Sequence, residues 1–218
     1  ASHEAAVSAA LGRRLLGHVE TATERADLLS SIADDSLTAT IEALEQALTL
    51  RPRDPRLLER LQAALEAAGR WRDAVDAKVA LSETIENPRD RARAMTAAAG
   101  MCARRTNDVP RAVALYEAAI ADDPSAPGAF EAIEAVLLKN EDFGGIDRAT
   151  TRQLERLVER GETAAATGLL DRLATLRADR LYDMRGAIVA LDQLVVPAPS
   201  NVAARVRLAP LLARTNEA

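Results

Sequence analysis

Apolar positions recur at spacings of three and four along almost the whole chain, the signature of helices that bury one face. Residues 92–112 and 167–187 show this most clearly, because they align without a gap. In the first, the apolar stripe runs Ala94, Met95, Ala98, Ala99, Met101; in the second it runs Leu169, Leu170, Leu173, Ala174, Leu176. Pro52, Pro124 and Pro199 each follow a helical stretch and stand 72 and 75 residues apart, with Pro88 midway between the first two. The underlying unit is therefore about 36 to 38 residues, a length that holds two helices and their links. Twelve helices are predicted, over 3–18, 22–33, 37–50, 54–68, 71–85, 90–105, 109–122, 126–139, 144–160, 163–180, 184–196 and 201–214. Asp54, Asp108 and Ser200 are placed to cap helices, since a short side-chain oxygen accepts a first-turn N–H that has no other partner. Pro55 and Pro110 then fall in first turns, where the missing N–H costs nothing. Gly69, Gly144, Gly145 and Gly161 punctuate the links, and Pro210 is expected to kink the last helix or start its final turn.

Composition agrees with this pattern and narrows it. Of 218 residues 47 are Ala and 29 are Leu, while aromatics make up only 2%, which suits close-packed helices and argues against an all-β fold. Cys102 is the sole cysteine, so no disulfide framework exists within the chain. No stretch approaches 18 consecutive apolar residues, so no membrane-inserting span is expected, and no charged-then-apolar leader opens the sequence. Lys78 and Lys139 are the only lysines among 28 basic residues, a bias typical of a GC-rich bacterial genome. The net charge of −5 and the scarcity of stacking aromatics disfavour nucleic acid as a partner.

The chemistry of catalysis is sparse. His3 and His18 are the only histidines, one in the first residues and the other at the end of the first predicted helix. Cys102 lies on an apolar stripe beside Met101 and reads as a small buried hydrophobe. Asn140, Glu141, Asp142 and Asp147 surround two glycines in a way that suggests a calcium loop. The place of its closing glutamate is held by Thr151, however, and Gly144 stands where a ligand is needed, so a helix–helix turn is the better reading. No metal, no cofactor and no catalytic residue is expected.

The repeat resembles the tetratricopeptide family. Phe130-x2-Ile133-Glu134-x2-Leu137 sits where that family shows Trp-x2-Leu-Gly-x2-Tyr, with Glu134 departing from the small residue. Ala112-x3-Tyr116 and Ala187-x3-Leu191 match its second helices, and Thr40-x3-Leu44-x2-Ala47 is a weaker copy. A bulky residue starts each second helix: Leu37, Trp71, Val109, Phe143 and Met184. Trp71 is thereby expected to plug the gap between one pair and the next rather than to hold a ligand. The resemblance implies an all-α superhelix, a solenoid of about twelve antiparallel helices in repeats near 20–53, 54–88, 89–125, 126–161 and 162–200. Related all-helical repeats of about 40 residues are the alternative. Both predicted ends are apolar, which suggests either a piece of a longer array or ends that bury themselves against another chain.

The resemblance also implies a function: a non-catalytic scaffold that binds a protein or peptide along a concave wall built by the first helix of each pair. On that wall Arg56, Glu59, Arg60, Arg93, Thr96, Arg104, Glu131 and Lys139 are the candidate contacts, around small residues at Ala63, Gly100 and Ala135. Arginine forks would suit an acidic segment. The Lys/Asn-rich carboxylate clamp of one family subgroup is not matched, since only Lys139 could belong to it. The alternative is self-assembly through the apolar ends, with Leu11 and Leu15 at one and Val206 and Leu211 at the other. An enzyme whose catalytic part lies outside this sequence is the third class. A cytoplasmic location is slightly favoured over a periplasmic one.

Overall fold

A computed structural model describes residues 22–195 and 202–216, with side-chain surroundings over 36–194 and 204–213. The described residues form ten α-helices: α1 (Ala22–Leu50), α2 (Pro55–Ala67), α3 (Trp71–Glu83), α4 (Pro88–Arg105), α5 (Val109–Asp122), α6 (Ala129–Lys139), α7 (Phe143–Glu159), α8 (Thr163–Asp179), α9 (Met184–Val195) and α10 (Val202–Asn216). From α2 onward every helix begins and ends within three residues of the sequence expectation. Two expectations change. The helix over 3–18 lies outside the described residues. The helices over 22–33 and 37–50 are one continuous helix, so Leu37 begins no second helix. Asp34, Asp35 and Ser36 are merely indifferent helix formers, and no Gly or Pro stands among them to break the ladder. Thr40 accommodates itself by donating its hydroxyl hydrogen to the Ser36 carbonyl at 2.8 Å, one turn back. Pro210 lies inside α10, which continues past it to Asn216.

The chain divides into two compact units, Ala1–Ala126 and Pro127–Ala218. Within the first, each helix packs on the next in sequence, α1 on α2 through α4 on α5. Within the second the same order runs from α6 to α10. Short links enforce this. At Ala68–Gly69–Arg70 the backbone reverses in three residues, Gly69 taking φ +70°, with Arg70 N–H donating to the Leu65 carbonyl at 2.9 Å. Gly161 makes the same turn between α7 and α8, and Glu141 and Tyr182 adopt left-handed backbone at the α6–α7 and α8–α9 turns without being glycine. Asp54, Asn87, Asp108 and Asp142 cap α2, α4, α5 and α7 through their side chains. Asp142 accepts from Gly145 N–H at 2.7 Å and Asp183 from Gly186 N–H at 2.8 Å; a methyl group on either glycine would strike the capping carboxylate. Ser200 lies outside the described residues.

In the first unit the core joins Ile41 and Leu44 of α1 to Leu61, Ala64 and Leu65 of α2 and to Ala74 and Ala77 of α3. Val75 of α3, Cys102 of α4 and Ala112 of α5 continue it, and Ala92, Met95 and Ala119 close it. The small residues Ala74, Ala92, Ala98, Ala99, Ala112 and Ala119 are all fully buried, which lets helix axes approach closely. In the second unit Ala174, Ala190, Leu191, Leu194 and Ala204 join α8, α9 and α10. The two stripes that align in sequence are buried alike at their centres, where Ala98 and Ala99 match Leu173 and Ala174.

Candidate partner-binding site

The first helices of successive pairs begin at residues 55, 88, 129 and 163, and their second helices at 71, 109, 143 and 184. Polar bonds repeat on the same period. Asp76 of α3 pairs with Arg111 of α5, Glu134 of α6 with Arg172 of α8, and Asp171 of α8 with Arg207 of α10. These pairs join residues 35, 38 and 36 positions apart. Each rung thus ties a helix to its counterpart one repeat later. Aromatic rings join a second helix to the first helix of the next pair. The Arg105 guanidinium, ending α4, lies 4.4 Å from the centre of the Trp71 ring that starts α3, and Arg180, ending α8, lies 5.3 Å from Phe143 at the start of α7. Trp71 and Phe143, matched by the sequence pattern, hold equivalent places.

Other ion pairs stitch helices within a pair or between adjacent pairs. Arg91 donates two hydrogen bonds to the Asp122 carboxylate, each 2.7 Å, joining α4 to α5. That bidentate grip holds the Asp122 carboxyl below its usual range and raises the Arg91 guanidinium above its own. Arg177 of α8 donates to Asp147 of α7 at 2.6 Å. Asp147 is thereby committed, Asp142 caps α7, and the Asn140 side-chain amide donates to the Val136 backbone carbonyl at 2.8 Å. The loop around Gly144 and Gly145 is a helix–helix turn in which Asn140, Asp142 and Asp147 are committed to protein partners and Glu141 is exposed. Among the described residues no three His, Cys, Asp or Glu side chains are grouped to hold a metal ion. Cys102 is fully buried, its Sγ 3.4 Å from Thr106 Oγ1 and 3.7 Å from the Asp108 carbonyl.

The residues expected on the binding wall are exposed for the most part. Arg56, Glu59 and Arg60 project from α2. Arg93 on α4 is exposed and pairs with Asp90 at 3.2 Å, and Thr96 donates its hydroxyl hydrogen back to the Ala92 carbonyl. Arg104 folds over Gly100, where an added Cβ would stand 2.9 Å from its guanidinium and 3.4 Å from the Tyr116 hydroxyl. Burial of that phenol raises its pKa above the ordinary value. Glu131 and Lys139 are exposed on α6, in the second unit. Of this set only Arg104 belongs to a close cluster, with Gly100 and Tyr116.

A cleft that the sequence does not single out lies in the second unit. α6 and α8 form its walls and α7 its floor, an open depression of about 630 Å³ beside a smaller one of about 190 Å³ that shares Leu138, Ile146, Arg172 and Leu176 with it. Ile146 and Thr150, both buried, close the bottom. Leu138, Phe143 and Leu176 give the sides an apolar character, and Leu138 is 60% exposed. The Glu134–Arg172 pair spans from one wall to the other. Glu141 and Asp179 stand at the mouth, and neither carboxylate has an ion-pair partner among the described residues.

At the apolar end expected to mediate assembly, Val206 is 66% exposed and Leu212 40%, whereas Leu211 packs against the α8–α10 core. Leu11 and Leu15 lie outside the described residues. No described helix is long and apolar enough to cross a membrane.

The structure is an all-α array of helix pairs that recur every 33 to 41 residues. No family model matches the sequence, and neither does any curated protein. Among solved structures the chain is similar to a thermophilic TPR protein of Thermus thermophilus, at 16% identity over 95% of this chain and 98% of that one, with a TM-score of 0.33. The helix pairs and their periodic bonds define the fold independently of that likeness.

Proposed function

We propose that the chain is a non-catalytic scaffold that binds another protein, taking an extended or helical segment against the exposed faces of its first helices. The observation that carries this reading is the cleft between α6 and α8. It is open, floored by apolar side chains and edged by charge, which is how a surface takes an amphipathic segment. Leu138 is the key residue. Lys139 and Asn140 continue the exposed run beside it, and Leu138 is the exposed large apolar side chain of α6, outside the buried Phe130, Ile133, Leu137 stripe. Burial of a leucine by a partner contributes roughly 1.5–3 kcal/mol, so a substitution there should weaken binding strongly and leave folding alone.

The test is affinity capture from the source cell with three immobilised forms: wild type, Leu138→Arg, and the double variant Arg60→Glu/Arg93→Glu. A protein held by wild type and lost by Leu138→Arg supports the second unit as the binding face. Loss with the double variant alone moves the site to α2 and α4. Equal capture by all three removes both faces.

A second reading is self-assembly, in which α10 meets another copy through Val206 and Leu212. Their exposure favours it.

A further inference from the structure

We infer that the α6–α8 cleft takes a segment that pairs an apolar side chain with a lysine or arginine, so that its ligand is a basic amphipathic peptide rather than an acidic one. The inference rests on the scaffold reading above and adds the chemistry of the partner. Of the cleft's two arginines, one is ion-paired and the other lies over a ring. Arg172 is bound to Glu134, and Arg180 lies over the Phe143 ring. Asp171 is likewise taken, by Arg207. What is left at the mouth is Glu141 from the α6–α7 turn and Asp179 from the end of α8, two carboxylates without an ion-pair partner among the described residues. They border the exposed Leu138 and the half-buried Phe143 and Leu176. An aliphatic side chain fits the apolar part, and a cation three or four residues away on the same helical face reaches the acids.

A glutamate in that position would meet the two carboxylates of Glu141 and Asp179 against the single guanidinium of Arg180, a net negative charge at the mouth. Acidic segments are therefore disfavoured in this cleft on charge. α8 differs from α4 at the residue that precedes the arginine covering the ring. Arg105, at the end of α4, covers Trp71, and the residue before it is a second arginine, Arg104. Arg180 covers Phe143 equivalently, but the residue before it is Asp179.

The test uses two fluorescein-labelled peptides of about fourteen residues, long enough for roughly four helical turns, identical in leucine pattern, one carrying lysines and the other glutamates on the flank. Anisotropy titrations would be run at about 0.15 M salt, where screening between exposed charges is physiological, with circular dichroism confirming equal helicity for every variant. The lysine peptide should bind at least tenfold more tightly than its glutamate twin. Leu138→Arg should weaken the lysine peptide about tenfold, and Glu141→Lys/Asp179→Lys should invert the preference between the twins. Equal binding of the two peptides overturns the inference, and so does a lysine peptide indifferent to both variants, since that is nonspecific attraction to an acidic protein. If neither peptide binds while Leu138→Arg still abolishes capture of a natural partner, the scaffold reading stands and the basic preference falls.

Discussion

Glu141 and Tyr182 hold φ values of +55° and +54°, a region in which a side chain crowds its own backbone. Gly69 and Gly161 fill the corresponding place in two other turns. Replacing either non-glycine residue by glycine should stabilise the protein by about 0.5–1 kcal/mol, because relief at a left-handed C-terminal position exceeds the entropy glycine adds to the unfolded chain. Thermal unfolding followed at 222 nm should show a rise of about 2–4 °C per kcal/mol for a chain of this size. A fall for both variants would mean that the turns are held by side-chain contacts instead. Asn107 is a contrasting case, since asparagine adopts its φ of +53° with little strain. At this scale the sequence reveals caps well and turns less well. Asp54 and Asp108 are legible as caps because they precede helix-starting prolines. Glu141 carries no local sign that its backbone is left-handed, and only the demand for a three-residue reversal between α6 and α7 imposes it.

The helices were legible because their stops are chemical. Pro52, Pro88 and Pro124, with Gly69 and Gly161, interrupt hydrogen-bond ladders whatever the tertiary context. Where no such stop exists, between Asp35 and Leu37, the two expected helices fuse into α1. The equivalence of Trp71 and Phe143 was likewise legible, from the bulky residue that starts each second helix. Their arginine covers were not, because Arg105 and Arg180 lie 34 and 37 residues away and belong to the next pair. Trp71 is the only tryptophan, which makes this contact measurable. Arg105→Ala should shift its emission maximum to the red and cost about 0.5–1 kcal/mol. An unchanged spectrum would show that the guanidinium does not shield the ring. The α6–α8 cleft escaped the sequence reading for a related reason. Its apolar character depends on how far apart two helix faces stand, and a one-dimensional stripe does not record that distance. Glu134 stood out as a departure from the repeat pattern, and its bond to Arg172 across the cleft now accounts for it.

At the scale of the molecule, the chain separates into two units after Ala126, within a six-residue link that contains Pro124, Pro127 and Gly128. The other links up to α9 are three or four residues long. If α10 mediates assembly, light scattering over a hundredfold range of concentration should give a mass above 23.3 kDa. Val206→Glu/Leu212→Glu should restore the monomer value. A wild-type mass that stays at the monomer value throughout would remove the self-assembly reading and leave the cleft as the surface to pursue.

The rungs that join one repeat to the next have a consequence for how this chain comes into being. Asp76–Arg111, Glu134–Arg172 and Asp171–Arg207 are among the most widely separated bonds in the sequence, and each spans about one repeat. Contact order is low as a result, and the loop that must close before any such bond forms is always of the same modest size. During synthesis, within each unit, a new helix pair meets its counterpart as soon as about forty further residues have emerged, with no need to wait for the remainder of the chain. Growth from the N-terminus and folding from the N-terminus then follow the same order, and lengthening the array by another pair adds to the end of that sequence without altering the closures already made.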